Sequence, residues 1–194
     1  MSKPLYIHLD MSVSGDMTGI AGTWIVGKKV SSDSDQAKDL SFRLAFSVSV
    51  KAPKGRQISF EKNRNFIRWL KEVGFKIKHI TSDTYQSYDL QQQLIAEGFT
   101  CSILSVDRVD SESRVCKPYQ YLRSTIYEKR FSMYRSNRLF DEFIDIERDL
   151  NTGKVDHSPN GHKDVLDAVC GSTFTASKYA EQYAFDYGED LDTV

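Results

Sequence analysis

Cysteine occurs only at positions 101, 116 and 170, an odd number with no CxxC spacing. This excludes a disulfide framework and a zinc site built on paired thiolates, and it points to a reducing compartment. The three are read as small buried hydrophobes. An excess of one charge is also lacking. Against 27 Asp and Glu stand 26 Lys and Arg, a formal net charge of −1, so polyanion binding has to come from local basic patches. No window approaches the roughly 18 apolar residues of a membrane span, and the N-terminus has no signal-peptide pattern. No internal repeat or linker divides the chain. With 194 residues, 40% of them hydrophobic, the length suits one domain over residues 1–185, followed by an acidic, flexible tail at 186–194.

What is present begins with residues 5 to 26, LYIHLDMSVSGDMTGIAGTWIV. Leu5, Ile7 and Leu9 alternate with Tyr6 and His8, and the run ends on Asp10. A polar turn and a second apolar run, Gly19 to Val26, complete a β-hairpin with a carboxylate at the mouth of its turn. Residues 31 to 39 read as a polar loop. Phe42 to Val50 alternates as a third, antiparallel strand, and Lys51, Lys54 and Arg56 form a basic tip beyond it. Lys28 and Lys29 read as a solvated strand end.

The pattern then changes to strand and helix in turn. Phe66, Trp69, Leu70 and Val73 predict a core-facing helix over 61–73, ended by Gly74. Phe75 to Thr81 returns as a strand that arrives at Asp83. A short helix over 88–97 and a strand over 99–106 follow, which suggests parallel strands joined by crossovers. A helix from Pro118 to about Lys129 buries Tyr119, Leu122 and Ile126; residues 130–134 are an extended link; a helix runs from about Arg138 to Leu150. Residues 154–161 read as irregular, with His157 a turn histidine. The last helix starts at His162 or Lys163, runs toward Ala184, and opens on Asp164-Val165-Leu166-Asp167.

An acidic first turn is favourable at any helix N-terminus. Residues three apart share a side of the helix, so Asp164 and Asp167 project together. Asp10 and Asp83 each end a strand, and if those strands are parallel neighbours their ends lie on one edge. Carboxylates that converge without cationic partners repel one another, and a divalent ion with hard-oxygen preference removes that repulsion.

The strand order, the two strand-end aspartates and the late helix opening on DxxD resemble the ribonuclease H-like nucleases and, within them, the nuclease domain of bacteriophage terminase large subunits. The resemblance rests on HLDMSVSGDMTGIAG at 8–22, SDTYQS at 82–87 and above all GKVDHSPNGHKDVLDAVCGS at 153–172, and spans nearly the whole chain. It implies an α/β fold: a ribonuclease H-like mixed β-sheet, three antiparallel strands then parallel ones, flanked by α-helices. By position it implies Asp10, Asp83 and Asp164 as the catalytic, metal-binding triad and Asp167 as a further ligand. Asp16 and His162 are additional candidates, the latter where terminases often carry serine. The implied cofactor is Mg²⁺ or Mn²⁺, two ions, and the implied activity is cleavage of double-stranded DNA during viral genome packaging.

Lys51, Lys54 and Arg56 are the expected DNA contacts; Arg108, Arg114 and Lys117 follow the strand carrying Val106 and line the same edge. Implied partners are the terminase ATPase domain, the small terminase subunit and the portal protein, in the host cytoplasm, with the isolated domain a monomer and no membrane. No GxxxxGK[ST] is present, so the expectation is a C-terminal domain separated from its motor, or a nuclease acting without one. A resolvase or transposase-type nuclease and a non-catalytic DNA- or portal-docking module are the competing readings.

Overall fold

The computed structural model describes residues 3–11, 17–28, 40–51, 58–83, 87–159 and 161–187; side chains of residue 28 and of 181–187 are not described. The elements are β1 (Pro4–Asp10), β2 (Met17–Lys28), β3 (Leu40–Lys51), α1 (Phe60–Glu72), β4 (Lys76–Ser82), α2 (Tyr88–Ala96), β5 (Cys101–Ile103), α3 (Lys117–Tyr127), β6 (Phe131–Ser132), α4 (Asn137–Asp145), β7 (Ile146–Arg148), β8 (Val155–His157) and α5 (Asp164–Tyr187). Six strands form one mixed sheet in the order β5-β4-β1-β2-β3-β6. β1, β2 and β3 pair antiparallel, whereas β4 joins β1, β5 joins β4 and β6 joins β3 in parallel.

Alternation along β1 sets the two faces of the sheet. Leu5, Ile7 and Leu9 point to one side and pack with Ile80, Ile67 and Leu70 of α1, and Leu90 and Leu94 of α2. Tyr6, His8 and Asp10 point to the other, where α5 crosses. Each fully buried apolar side chain contributes about 1.5–3 kcal/mol, so the Leu5–Ile7–Leu9 face, fully enclosed by α1 and α2, fixes the register of β1. A slip of one residue would drive Asp10 and His8 into that apolar layer.

α5 lies close to the sheet because its contact face is small or hydroxylated. A β-carbon at Gly171 would overlap the His8 ring, and one at Gly19 on β2 would overlap the Asp164 carbonyl. Between these points, Thr23 Oγ1 is 2.9 Å from Ser172 Oγ, and Thr81 Oγ1 lies 2.8 Å from His8 Nδ1 and 2.7 Å from Thr175 Oγ1. Hydroxyls thus partner one another under the helix, which removes most of the cost of burying them.

Several expectations change in the structure. α1 buries Asn63, Ile67 and Leu70, while Trp69 and Val73 are each 51% exposed. The 63-67-70 stripe meets the core, and Trp69 flanks it, stacked on Phe66 at 5.9 Å. Ile126, expected to face inward, is 40% exposed at the end of α3. Residues 130–134 contain an edge strand, and the strand expected over 99–106 is shortened to β5. The helix expected to run to Leu150 stops at Asp145. The chain turns through Asp149, whose Oδ1 accepts from the Asn151 and Thr152 N–H groups, and through Gly153 at φ 77°. Residues 146–157 form a two-stranded hairpin, β7 with β8, where helix followed by irregular chain was expected. Leu150 is 82% exposed at its tip. An aspartate that turns the backbone on itself outweighs an apolar i, i+4 stripe.

Cys116 and Cys170 are buried and Cys101 is half-buried, all three free, as their reading as small hydrophobes predicts. No helix among the described residues is long and apolar enough to cross a membrane. The loop at 31–39, Lys29 and residues 188–194 lie outside the described residues, and α5 extends through Tyr187.

Candidate functional site

Asp10 closes β1 opposite Gly19 of β2, and Leu9 pairs with Ser82 on β4, so that Asp10 and Asp83 each follow directly beyond that pair. Tyr6 pairs with His79 and His8 with Thr81, which puts Asp10 and Asp83 on the α5 face. Asp164 is brought against Gly19 by the first turn of α5. Three remote stretches therefore meet at one end of the sheet. Lys51, paired with Met17 and exposed, stands at that same end.

A cavity of about 470 Å³ opens here, lined among the described residues by Asp10, Asp107, Asp164 and Asp167, with Lys163, His157 and His162 around them. Asp83 is not one of its lining residues; its charge acts on His8 instead. Asp16, Lys54 and Arg56 lie outside the described residues. His162 is exposed on the rim, its ring 6.5 Å from that of His157. His157 Nδ1 is 2.7 Å from the Ser158 carbonyl, to which it donates. Arg108 is exposed beside Asp107. Lys117 is taken by Asp110 at 2.7 Å, and Arg114 faces the hairpin, accepting at its carbonyl from Arg148.

Two residues that sequence reasoning passed over complete the constellation. Asp107 follows the β5 segment much as Asp83 follows β4, a third strand-end aspartate whose signal was in the chain. Lys163 precedes Asp164 and stands four residues before Asp167, a spacing that pairs side chains on a helix. Its ammonium donates to Asp107 Oδ1 at 2.8 Å, Asp107 Oδ2 at 2.9 Å and Asp167 Oδ2 at 2.6 Å. The other Asp167 oxygen accepts from the Tyr119 hydroxyl. The expectation of carboxylates without a cationic partner is corrected here: Lys163 holds two of them.

The first turn of α5 is fixed from outside. Buried Glu142 of α4 accepts from the Leu166 N–H at 2.8 Å, satisfying one of the donors that a helix start leaves open, and from Arg138 Nε at 3.0 Å.

The electrostatics separate the carboxylates. Burial, then the charges of Asp167 and Asp164, push Asp10 well above the usual carboxylate range, with Lys163 pulling the other way. Asp10 keeps some exposed surface although protein surrounds it on most sides, as befits a group at the floor of a cavity. Asp167 is raised to about 6 by burial, against the effect of Lys163. Lys163 itself is raised: burial disfavours its charge, and Asp167 with Asp107 more than offsets that. His8 is lowered to about 4 by burial and stays neutral.

The donor set suits a hard divalent cation. Four carboxylates share the cavity with one lysine, and burial and like charges weigh on the Asp10 carboxylate more than Lys163 relieves it. Asp10 and Asp164 are the groups best able to hold such an ion. Among the described residues no three carboxylate, imidazole or thiol groups already surround a single point.

No family model matches the sequence, and no curated protein does. Solved structures do. The large terminase nuclease of thermophilic phage G20c with bound magnesium matches over 89% of this chain and 81% of its own, with a TM-score of 0.61 at 14% identity. The fold is that of large terminase nuclease domains. The Thermus phage P74-26 nuclease domain matches over 99% of this chain and 84% of its own, with a TM-score of 0.61 at 13% identity. The nuclease domain of the bacteriophage SPP1 large terminase with bound Mn matches over 92% and 86%, with a TM-score of 0.56 at 11% identity. The terminase-nuclease fold is ribonuclease H-like, and here it carries the antiparallel-then-parallel sheet that the sequence predicts.

Proposed function

We propose that this chain is a divalent-metal-dependent endonuclease that cuts double-stranded DNA, as the nuclease part of a viral DNA-packaging terminase. The observation that carries the reading is the meeting of Asp10, from the end of β1, with Asp164, from the start of α5, in one acidic cavity at a sheet end. The fold is shared with terminase nucleases crystallised with magnesium and with manganese. Asp10 and Asp164 would hold the ion, and Asp83 stands outside the cavity lining at the neighbouring strand end. Bound Mg²⁺ or Mn²⁺ supplies activation of a water and neutralisation of phosphate charge. The chain's own residues orient the strand: Lys51 and Arg108 offer cations to backbone phosphates beside the cavity, and Lys54 and Arg56 extend that set. Phosphate contacts position DNA without reading its sequence. The site of action is the host cytoplasm, and cut-site choice rests with an ATPase domain, a small subunit and a portal.

A plasmid-nicking assay tests this reading. Mg²⁺ or Mn²⁺ supports nicking and linearisation, EDTA abolishes both, and Asp10→Asn or Asp164→Asn lowers the rate at least about 100-fold with the fold retained by circular dichroism. Full activity in EDTA, or in either variant, overturns it.

A further inference from the structure

Lys163 is unlike the other basic residues near the site. Its side chain is largely buried, and it donates to both oxygens of Asp107 and to one of Asp167, all within 2.9 Å. Asp167 then has a partner on each oxygen, because Tyr119 donates to the other. The two carboxylates come from different parts of the chain, one beyond β5 and one from α5, so the ammonium ties the parallel edge of the sheet to the first turn of the helix. A cation that bridges two acidic groups at this spacing stands in the manner of a bridging metal ion. Asp10 lines the same cavity, and none of these three Lys163 hydrogen bonds goes to it.

We infer that Lys163 is a built-in cation that takes the place of a second divalent ion, so that this site binds one Mg²⁺ or Mn²⁺, with Asp10 and Asp164 as its ligands, and not two. The inference rests on the proposed function for the presence of the ion. Its content is the division of labour. Asp107 and Asp167 serve Lys163, and Lys163 is a positioning residue that fixes the start of α5 and supplies one positive charge beside the scissile phosphate. A lysine cannot deprotonate a metal-bound water or leave the site with product, so the second cation of the pair is permanent and its charge is +1.

Mn²⁺ titration followed by isothermal calorimetry and by electron paramagnetic resonance of free Mn²⁺ reads the number of ions directly, without reference to cleavage. The wild-type chain takes up one ion per chain. Lys163→Met frees Asp107 and Asp167 and raises the count to two, while Lys163→Arg keeps it at one. Two ions in the wild-type chain overturn the inference whether or not any variant folds, and so does a count of one in a folded Lys163→Met. In those cases the nuclease reading stands on its own assay. If the wild-type chain binds no ion and nicks no plasmid, both are overturned together.

Discussion

At the scale of single residues, Asp10 sits where burial and neighbouring carboxylates disfavour its ionisation. Its surroundings hold its proton to higher pH than the unfolded chain does, so the folded form loses stability as pH rises through that interval. Asp167, at about 6 against an ordinary value near 4, acts in the same sense between those limits. Buried His8 and His79, both lowered to about 4, act in the opposite sense from there to about pH 6.5. The clean measurement is therefore a difference between two chains. In EDTA at pH 7, Asp10→Asn melts several degrees above the wild type. A pKa displaced by one pH unit corresponds to about 1.4 kcal/mol, and each kcal/mol moves the melting point of a domain of this size by about 2–4 °C. The gain shrinks toward zero as pH falls to about 4. Adding Mg²⁺ reverses the order at pH 7, because the wild type gains the ion and the variant does not. A variant melting below the wild type in EDTA at pH 7 would contradict the account of Asp10.

At the scale of elements, the site depends on how closely α5 can approach β2. Gly19 sits opposite Asp10 in the register and directly under the Asp164 carbonyl, where no side chain fits. Gly19→Ala lifts the start of α5, costs about 1–3 kcal/mol by overpacking, and disables cleavage even though no carboxylate has changed. Gly27→Ala, on the same strand with open space around it, leaves melting temperature and nicking rate near the wild type. Thermal melts and the nicking assay on the two variants separate a requirement for closeness from a general intolerance of β2.

The same elements show where sequence reading succeeds and where it stops. β1 and β3 were legible because their apolar residues alternate, β2 because it is a bounded apolar run, and Asp10 and Asp164 because each terminates or begins such an element; Asp83 ends its strand as read but does not line the cavity. The β7–β8 hairpin was hidden: Leu139, Phe143, Ile146 and Leu150 keep helical spacing through the point where Asp149 turns the chain. Asp107 was legible as the residue after the strand expected over 99–106 and was passed over; the observed β5 ends earlier, at Ile103, and Asp107 reaches the cavity from the segment beyond it. Lys163 was hidden by its neighbours, since a lysine in a polar helix start reads as solvated until Asp107 arrives from 56 residues away.

At the scale of the whole molecule, positive charge is local and the net charge is −1. Under the proposed function, duplex binding by this chain is expected to be weak, independent of sequence and steeply salt-dependent. Replacing Lys51, Lys54 and Arg56 with alanine lowers cleavage at physiological salt and reduces the slope of log K against log salt by about 2–3, at about 0.9 per phosphate contact, while Mn²⁺ affinity is unchanged. Fluorescence anisotropy over a salt series measures the slope, and a tight, sequence-specific footprint would speak for a resolvase-type enzyme.

α5 crosses one face of the sheet and also brings Asp164 and Asp167 to the cavity, with Lys163 just ahead of it, yet it follows every strand in chain order. During synthesis the ribosome thus releases β1 and its Asp10 more than 150 residues ahead of the partners that Asp10 works with. A nascent chain can pair its strands and pack α1 and α2 while possessing half a cavity and an open hydroxyl-lined groove. Closing that groove and completing the acidic cavity are one event, so a stalled or truncated translation product lacks the site on which the proposed cleavage depends.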